Sequence, residues 1–160
     1  MTLQRSPLFY VGDKFKLAPQ LLPLFPSDID NFVEPFVGGG SIAINTQAGR
    51  HFINDFNPYV ANLHRWLQSQ PSAENLLGEI RERLSQVGLK SSYFGDVVSQ
   101  DLKSAYPKTY FAKQNRDAYE QLRSAFNSSN RSSMLDFYIL LIFGFNRMIR
   151  FNSKGAFNVP

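Results

Sequence analysis

Three consecutive glycines, Gly38 to Gly40, follow a predicted strand and constrain the fold more than any other feature of the chain. Residues 31–37 have the apolar composition of a strand, and glycine lets the backbone turn sharply and approach a ligand closely. A helix over residues 41–48, capped by its serine, is predicted next, followed by a second short strand over residues 51–55 and another helix. This order of strand, glycine turn, helix, strand and helix is half of a doubly wound α/β fold.

Helical patterns dominate the chain after residue 58. The predicted helices cover residues 76–87, 116–126 and 134–145, the last of them capped by Ser132 or Ser133. Residues 90–108 are polar and are predicted to be irregular. Because no strand alternation occurs in this part of the chain, we predict an α/β domain over residues 1–58 and a helical subdomain over residues 59–160.

Composition narrows the class of protein. The 160 residues contain no cysteine, which excludes disulfides and thiolate metal sites and predicts a cytoplasmic protein. His51 and His64 lack ligand spacing, so no metal site is expected. The first residues lack the apolar core of a signal peptide, and the apolar run over residues 134–143 is too short to cross a membrane. A formal net charge of +4 is compatible with a polyanionic partner.

Three features of the N-terminal part could form a nucleotide-binding site. The glycine run can admit a ligand close to the backbone, and Asp55 at the end of the second strand can accept hydrogen bonds from ribose hydroxyls. Tyr10 and Lys14 offer an aromatic platform and a cation near the start of the chain. Each feature alone has a structural alternative, namely a flexible turn, a helix cap and a core ring.

A polar segment after the last helix could bind DNA. Its candidate residues are Phe145, Asn146, Arg147, Arg150, Asn152 and Lys154. Arginine can donate two hydrogen bonds to guanine, asparagine can pair with adenine, and lysine neutralises phosphates. Phe151 and Phe157 are interleaved and, with Phe145, could stack on or wedge between bases. The structural alternative is a solvated polar loop beside the core.

Four segments together resemble one enzyme family. Residues 9–14 (FYVGDK), 34–41 (EPFVGGGS), 54–58 (NDFNP) and 143–160 resemble, in order, the motifs of alpha-class amino-methyltransferases, and are most similar to the Dam-type adenine-N6 DNA methyltransferases of bacteria and their phages. The resemblance implies an incomplete Rossmann-like methyltransferase fold that uses S-adenosyl-L-methionine (S-adenosylmethionine). Residues 1–58 would bind the cofactor, and the helical part would recognise double-stranded DNA.

The resemblance also implies roles for individual residues. Tyr10 would pack on the cofactor, and Lys14 would reach toward it. Pro35 and Phe36 would line the adenine and methionine pockets. Gly38 and Gly40 would cradle the methionine part of the cofactor, and Asp55 would hold its ribose. Asp13 stands where the family often has glycine, which bears on the geometry of Lys14. On the DNA side, Arg150 would read a guanine, Asn146 would contact the same site, and the target would be GATC.

The Asp-Pro-Pro-Tyr motif of the family does not occur in these 160 residues. In the family, this motif accepts hydrogen bonds from the adenine amino group and stacks on the flipped base. Asn57-Pro58-Tyr59 is not a substitute, because it has one proline and begins a helix. We therefore expect a truncated protein or one half of a split enzyme, inactive alone, with a second chain carrying the catalytic half as its partner. Such a fragment would leave strand edges and apolar faces exposed.

Two other classes of function stay open at this stage. A non-catalytic DNA-binding relic of a methyltransferase would bind DNA without the cofactor. An NAD-linked enzyme is the other alternative, although Ala43 and the aromatic Phe36 fit a G-x-G-x-x-G fingerprint poorly. The resemblance is compatible with a role in restriction-modification or in another form of DNA methylation.

Overall fold

The two predicted strands pair in the computed structural model, which describes residues 2–8 and 10–160. β1 (Asn31–Glu34) and β2 (Arg50–Ile53) are parallel, with Asn31 opposite Arg50 and Glu34 opposite Ile53. The pairing continues beyond the strands, because Asn54 N–H donates to Glu34 O at 3.0 Å. Since the strands are parallel, the chain segments that follow them emerge at the same edge of the sheet.

The predicted helix over residues 41–48 is instead a single 3₁₀ turn, Ala43–Asn45. Two side chains donate hydrogen bonds to carbonyl oxygens that would accept from backbone N–H groups if the helix continued. Asn45 Nδ2 donates to Ser41 O at 2.8 Å, and Thr46 Oγ1 donates to Ile42 O at 2.8 Å. Such local bonds compete with the helical ladder. The predicted serine cap is also wrong, because no side-chain cap bond is made at this turn.

Two α-helices complete the N-terminal part that the structure describes. α1 (Ala18–Leu21) is short and continues as a 3₁₀ turn, Leu22–Leu24. α2 (Pro58–Gln68) begins at the predicted proline and buries Val60, Ala61 and Leu63. The compact N-terminal unit therefore extends to Gln68, beyond the predicted division after residue 58, and Ser69–Pro160 form a second compact unit, here called the helical unit.

The small sheet carries exposed apolar side chains, as expected. Val33 and Phe52 are register partners on β1 and β2 and are 64% and 51% exposed. Phe36 and Phe56, which follow the two strands, are also largely exposed. The sheet and the residues that follow its strands therefore leave four large apolar side chains exposed.

The helical unit contains four α-helices, together with the 3₁₀ turns Ser92–Phe94 and Phe145–Arg147. α3 (Ala73–Val87) ends at Gly88 with φ +77°, and α4 (Gln100–Ala105) lies in the stretch predicted to be irregular. The other two, α5 (Tyr110–Ser128) and α6 (Met134–Phe143), occupy the positions predicted for the last two helices, although α5 begins earlier and α6 ends sooner. Ser133 accepts from Asp136 N–H, as predicted for its cap. Among the described residues, no helix is long and apolar enough to span a membrane.

Phenylalanine side chains form the centre of the helical unit. The rings of Phe126 on α5 and Phe137 on α6 stack with centroids 5.6 Å apart, and Phe157 meets both edge-on. Phe157 is only 1% exposed, so the prediction that it could stack on DNA bases is wrong. Phe151 lies against Phe137 and Phe157 in the same cluster. The cluster anchors the segment after α6 to the helices.

Replacing Tyr119 by phenylalanine is expected to destabilise the helical unit by about 1 kcal/mol below pH 10. The buried Tyr119 hydroxyl lies within hydrogen-bond distance of the carbonyl oxygens of Leu140 and Val159, at 3.3 and 3.1 Å. The loss is modest because those oxygens keep other donors, from Gly144 and Arg123.

The same substitution tests a pH dependence. Burial raises the pKa of Tyr119 from 10.0 to about 12, against the opposing charge of Arg123. The stability contributed by the neutral hydroxyl is therefore complete below pH 10 and lost as the pH rises toward 12. Urea unfolding of the parent and Tyr119→Phe at pH 8 and pH 11 should show a difference that shrinks at the higher pH. A difference independent of pH would contradict this assignment.

Candidate functional site

A cavity of about 480 Å³ lies in the N-terminal unit where β1 and β2 end. It is lined by Tyr10, Val11, Gly12, Asp13, Lys14, Glu34, Phe36, Val37, Gly38, Gly39, Ser41, Ile42 and Asp55. Five of the seven predicted cofactor residues are in this lining, and the exposed Pro35 and the buried Gly40 are not. We call it the acidic cavity, for the three carboxylates Asp13, Glu34 and Asp55 in its wall. Phe9, from the same motif as Tyr10, lies outside the described residues.

Tyr10 packs against the glycine turn. A Cβ atom placed on Gly38, which has φ +49°, would lie 3.0 Å from Tyr10 Cδ1, so this close approach requires glycine. Burial raises the pKa of the Tyr10 hydroxyl, and the negative charge of Asp55 raises it further. The ring therefore forms a neutral wall of the cavity.

Asp55 connects the glycine turn to the start of α2. Its Oδ2 accepts from Gly38 N–H at 2.9 Å, and its Oδ1 accepts from Asn57 N–H at 2.9 Å. The carboxylate thus braces the glycine turn and fixes the residue before α2, where Asn57 Oδ1 caps the helix by accepting from Tyr59 N–H at 3.0 Å. Because each carboxylate oxygen has two acceptor positions, both oxygens retain capacity for a ligand donor.

Gly40 has a packing role below the cavity. Its φ is +78°, and an added Cβ would lie 2.8 Å from Cε1 of His64 on α2. His64 Nε2 lies 2.8 Å from Gly38 O and donates a hydrogen bond to it. The helix therefore holds the glycine turn from behind, through a histidine that the sequence analysis did not assign to the site.

Glu34 is another lining residue that the sequence analysis did not select. Its Oε2 accepts from Ala43 N–H at 3.1 Å. Burial raises the pKa of the Glu34 carboxyl; the Ala43 hydrogen bond opposes this and the charge of Asp13 adds to it. The available signal was its position at the C-terminal end of β1, four residues before Gly38.

Lys14 and Ser41 complete the polar lining. Lys14 Nζ donates to the Gly12 carbonyl oxygen. The Ser41 hydroxyl is buried and makes no hydrogen bond with any residue among 2–8 and 10–160. Because an unpaired buried hydroxyl is unfavourable, its presence in the lining indicates a position for a ligand or water.

The predicted DNA-binding residues lie in the helical unit, after α6. Phe145, Asn146 and Arg147 are exposed, and φ is +52° at Asn146 and +51° at Arg147. Two successive non-glycine residues in the left-handed region are uncommon and mark a constrained turn. Phe145 N–H donates to Pro160 O at 2.9 Å, which closes the segment into a loop.

The other three candidates lie on a short hairpin within this loop. Phe151 and Phe157 form an antiparallel bridge. Asn152 Oδ1 accepts from the backbone N–H groups of Lys154 and Ala156, both at 3.0 Å, so its side chain shapes the turn. Arg150 and Lys154 are exposed. The six candidates therefore share one surface loop, with Asn152 committed in part to the turn.

A larger cavity, of about 960 Å³, lies in the helical unit. Phe145 is in its lining together with four cations, Lys90, Lys113, Arg116 and Arg123, and the one carboxylate of Glu120. We call it the basic cavity. Its charge suits anionic groups, in contrast to the acidic cavity of the N-terminal unit.

Comparison with known proteins identifies the family. The model of the D12 class N6 adenine-specific DNA methyltransferases matches residues 10–160. The chain belongs to this family. It is 34% identical to modification methylase StsI of Streptococcus sanguinis and 31% identical to type II methyltransferase M.FokI of Planomicrobium okeanokoites, each over 98% of the chain. It is also 30% identical, over its whole length, to a DNA adenine methylase of Vibrio cholerae.

The D12 chain spans only part of these relatives. It covers 20% of the StsI and FokI proteins and 48% of the Vibrio protein. The Dam-type resemblance is confirmed, because DNA adenine methylases of Vibrio and Haemophilus match over 98% or more of the chain. The mixture of helices and a small parallel sheet is consistent with a methyltransferase fold.

Proposed function

We propose that this chain provides the cofactor pocket and much of the DNA-recognition surface of an adenine-N6 DNA methyltransferase. The observation that carries the proposal is the acidic cavity, which brings Tyr10, Gly38 and Asp55 together at the ends of two parallel strands. Ligands of α/β sheets bind at this edge. The two strands would then be part of a Rossmann-like sheet, and the helical unit would be the target-recognition subdomain.

The acidic cavity fits S-adenosylmethionine in size and polarity. A volume of about 480 Å³ is within the usual range for small-molecule sites. Asp55 retains acceptor capacity for ribose hydroxyls, and the unpaired Ser41 hydroxyl supplies a further polar contact. Tyr10 and Phe36 supply aromatic walls. When bound, S-adenosylmethionine supplies a methyl group attached to a positively charged sulfur.

Charge distinguishes this cofactor from a dinucleotide. Among the residues that the structure describes, the cavity lining has three carboxylates and one cation, and the ammonium of that cation donates to a backbone carbonyl. Negative walls favour a ligand that carries sulfonium and ammonium charges and oppose the pyrophosphate of NAD. The balance of charge therefore supports the methyltransferase assignment over the NAD-linked alternative.

The helical unit would bind double-stranded DNA through the loop after α6. Exposed Arg147, Arg150 and Lys154 provide cations, and Phe145 provides an exposed ring. Arginine can read guanine through two hydrogen bonds, while lysine contacts phosphates. The target we propose is GATC, from the Dam-type resemblance. Methyl transfer would need the Asp-Pro-Pro-Tyr group, which we place on residues outside these 160, on this chain or a second one.

The test is a calorimetric titration of S-adenosylmethionine and of NAD into the 160-residue chain. We expect saturable binding of the first and none of the second. Binding of NAD alone would favour the dinucleotide enzyme, and salt-sensitive DNA binding with no cofactor binding by the folded chain would favour the relic. We expect no methylation of a GATC duplex by the chain alone, and methylation by it would contradict our placement of the catalytic group.

Replacing Glu34 by glutamine is expected to preserve the stability of the folded chain and to weaken its binding of S-adenosylmethionine. Because the folded-state pKa of Glu34 is raised, its contribution to stability is complete below pH 4.5 and lost as the pH rises through that raised value. The ionised form is thus unfavourable at pH 7, and Glu34→Gln, which keeps an acceptor for Ala43, should be at least as stable there as the parent.

Binding of S-adenosylmethionine should nevertheless weaken by about tenfold in Glu34→Gln, since a charged contact is lost. Urea unfolding and calorimetry at pH 7 measure the two effects. Asp28→Asn, which removes a charge from an exposed residue outside the cavity lining, is the matched control. Unchanged affinity in Glu34→Gln would remove this residue from the proposed cofactor site.

A further inference from the structure

The Arg150 guanidinium is held on one side by a single residue, Asn158. Arg150 Nε donates to Asn158 Oδ1 at 2.9 Å, and Nη2 donates to the Asn158 backbone oxygen at 2.7 Å. The backbone joins the same two residues, because Asn158 N–H donates to Arg150 O at 3.2 Å. The side edge of the guanidinium is therefore occupied within the hairpin.

The end edge of the same guanidinium stays available. Arginine has five N–H donors in a planar fork, and two of them are used on Asn158. Nη1 makes no hydrogen bond with the residues that the structure describes, and Nη2 keeps a second hydrogen. An end edge with two parallel donors matches two acceptors in one plane, such as O6 and N7 of guanine.

We propose that Asn158 is a positioning residue that holds Arg150 so that its end edge can read guanine. The inference rests on the proposed function, because it takes Arg150 as the guanine reader. The inference adds Asn158 as a residue that determines specificity through its contact with Arg150. Fixing a long side chain before binding increases affinity by about threefold to tenfold, because less conformational freedom is lost on binding.

Asn158 is well placed for this role because its neighbours are fixed. Phe157 and Val159 are buried on either side of it. Asn127 on α5 donates to Phe157 O at 2.9 Å and accepts from Phe157 N–H at 2.8 Å. Sites held on rigid elements by such supporting bonds keep their geometry. The helices therefore hold Asn158, and Asn158 orients Arg150.

The experiment measures binding of the 160-residue chain to a duplex with one GATC site and to the same duplex with 7-deazaguanine, which lacks N7, in that site. We expect the parent to bind the normal duplex about tenfold more tightly. In Asn158→Ala this ratio should fall by about threefold or more. Asn158→Asp, which keeps the acceptor for Nε, should retain the parent ratio. Arg150→Ala should reduce the ratio to one.

These outcomes separate the inference from the proposed function. If Arg150→Ala removes discrimination and Asn158→Ala leaves it unchanged, the positioning role is wrong and the reading role stands. If the parent does not discriminate between the duplexes, the proposed reading of GATC by Arg150 fails, and the inference fails with it. Tighter binding of the normal duplex by Asn158→Ala would show that Asn158 opposes DNA binding, which would also overturn the inference.

A measurement without DNA tests the geometry itself. In the ¹⁵N spectrum of the parent, the Arg150 Nε–H signal should exchange slowly with water, because Nε donates to Asn158. The signal should be lost to exchange in Asn158→Ala and kept in Asn158→Asp, while thermal unfolding of all three stays cooperative. Equal exchange in the parent and Asn158→Ala would contradict the proposed positioning.

Discussion

Replacing Asp55 by alanine is expected to weaken S-adenosylmethionine binding by at least about a hundredfold. The substitution removes the carboxylate that would accept from ribose hydroxyls. It also frees Gly38 N–H and Asn57 N–H, both of which donate to Asp55 at 2.9 Å. Because hydrogen bonds to charged groups contribute about 1.5–3 kcal/mol each, loss of two ligand contacts accounts for the expected effect.

Calorimetry with three variants separates the two roles of Asp55. Asp55→Asn keeps an acceptor for one backbone N–H and removes the charge, so it should fold like the parent and still bind weakly. Asp28→Ala, at an exposed position outside the cavity lining, should bind like the parent. Full affinity in Asp55→Ala, with circular dichroism unchanged, would remove Asp55 from the cofactor site.

Local sequence was sufficient to predict the frame of the cavity. The glycine run and the acid of the second strand were found because both features are contiguous in sequence and follow strands. Parallel pairing of β1 and β2 then brings Gly38 and Asp55 within hydrogen-bond distance. A strand-turn-strand order therefore carries most of the information about this part of the site.

The turn after the glycines was not predictable from the same patterns. The helix expected over residues 41–48 fails because Asn45 and Thr46 bond to carbonyl oxygens one turn earlier. Asn45 also exchanges two hydrogen bonds with the backbone of Gln4, a residue forty-one positions away. Since sequence periodicity does not represent such distant partners, a helix was the reasonable prediction.

Residues that act through another group escaped the sequence analysis for a related reason. His64 supports the glycine turn from α2, and Asn158 contacts Arg150 across a hairpin. Phe157 resembled an interface ring in sequence and is a core ring in the structure. For each of these residues the tertiary contact determines the role, whereas the residue type alone is compatible with several roles.

The two cavities have linings of opposite charge. Counting the lining residues within 2–8 and 10–160, the acidic cavity has three carboxylates and one lysine, and the basic cavity has four cations and one carboxylate. The positive charge of the proposed cofactor suits the acidic cavity. Phe145 of the proposed DNA-binding loop lines the basic cavity. The net charge of +4 is therefore the sum over a chain that contains one acidic and one basic cavity.

Removing the ion pair between α3 and α6 is expected to destabilise the helical unit more than removing an exposed pair. Arg83 donates through Nε to Asp136 Oδ1 at 2.7 Å and through Nη2 to Oδ2 at 3.1 Å. The Arg83 side chain is 30% exposed and the Asp136 side chain 12%. A fully buried pair costs about 3–5 kcal/mol when one partner is removed, and a surface pair about 0–1 kcal/mol. Because this pair lies between those limits, Arg83→Met should cost about 2 kcal/mol.

Urea unfolding of a double-mutant cycle can distinguish pairing from packing. In Arg83→Met the Asp136 carboxylate is left without its partner. In the double variant, Arg83→Met with Asp136→Leu, neither charge of the pair remains. The double variant should therefore be more stable than the sum of the two single losses predicts. Arg116→Met is the matched control, because Arg116 pairs with Glu120 at 3.3 Å on an exposed face of α5 and should cost less than about 0.5 kcal/mol. Equal losses for Arg83→Met and Arg116→Met would show that the α3–α6 pair contributes no more than a surface pair. A larger loss for Arg83→Met that is partly recovered in the double variant would show that Arg83 compensates the Asp136 carboxylate on α6, from which the proposed DNA-reading loop extends.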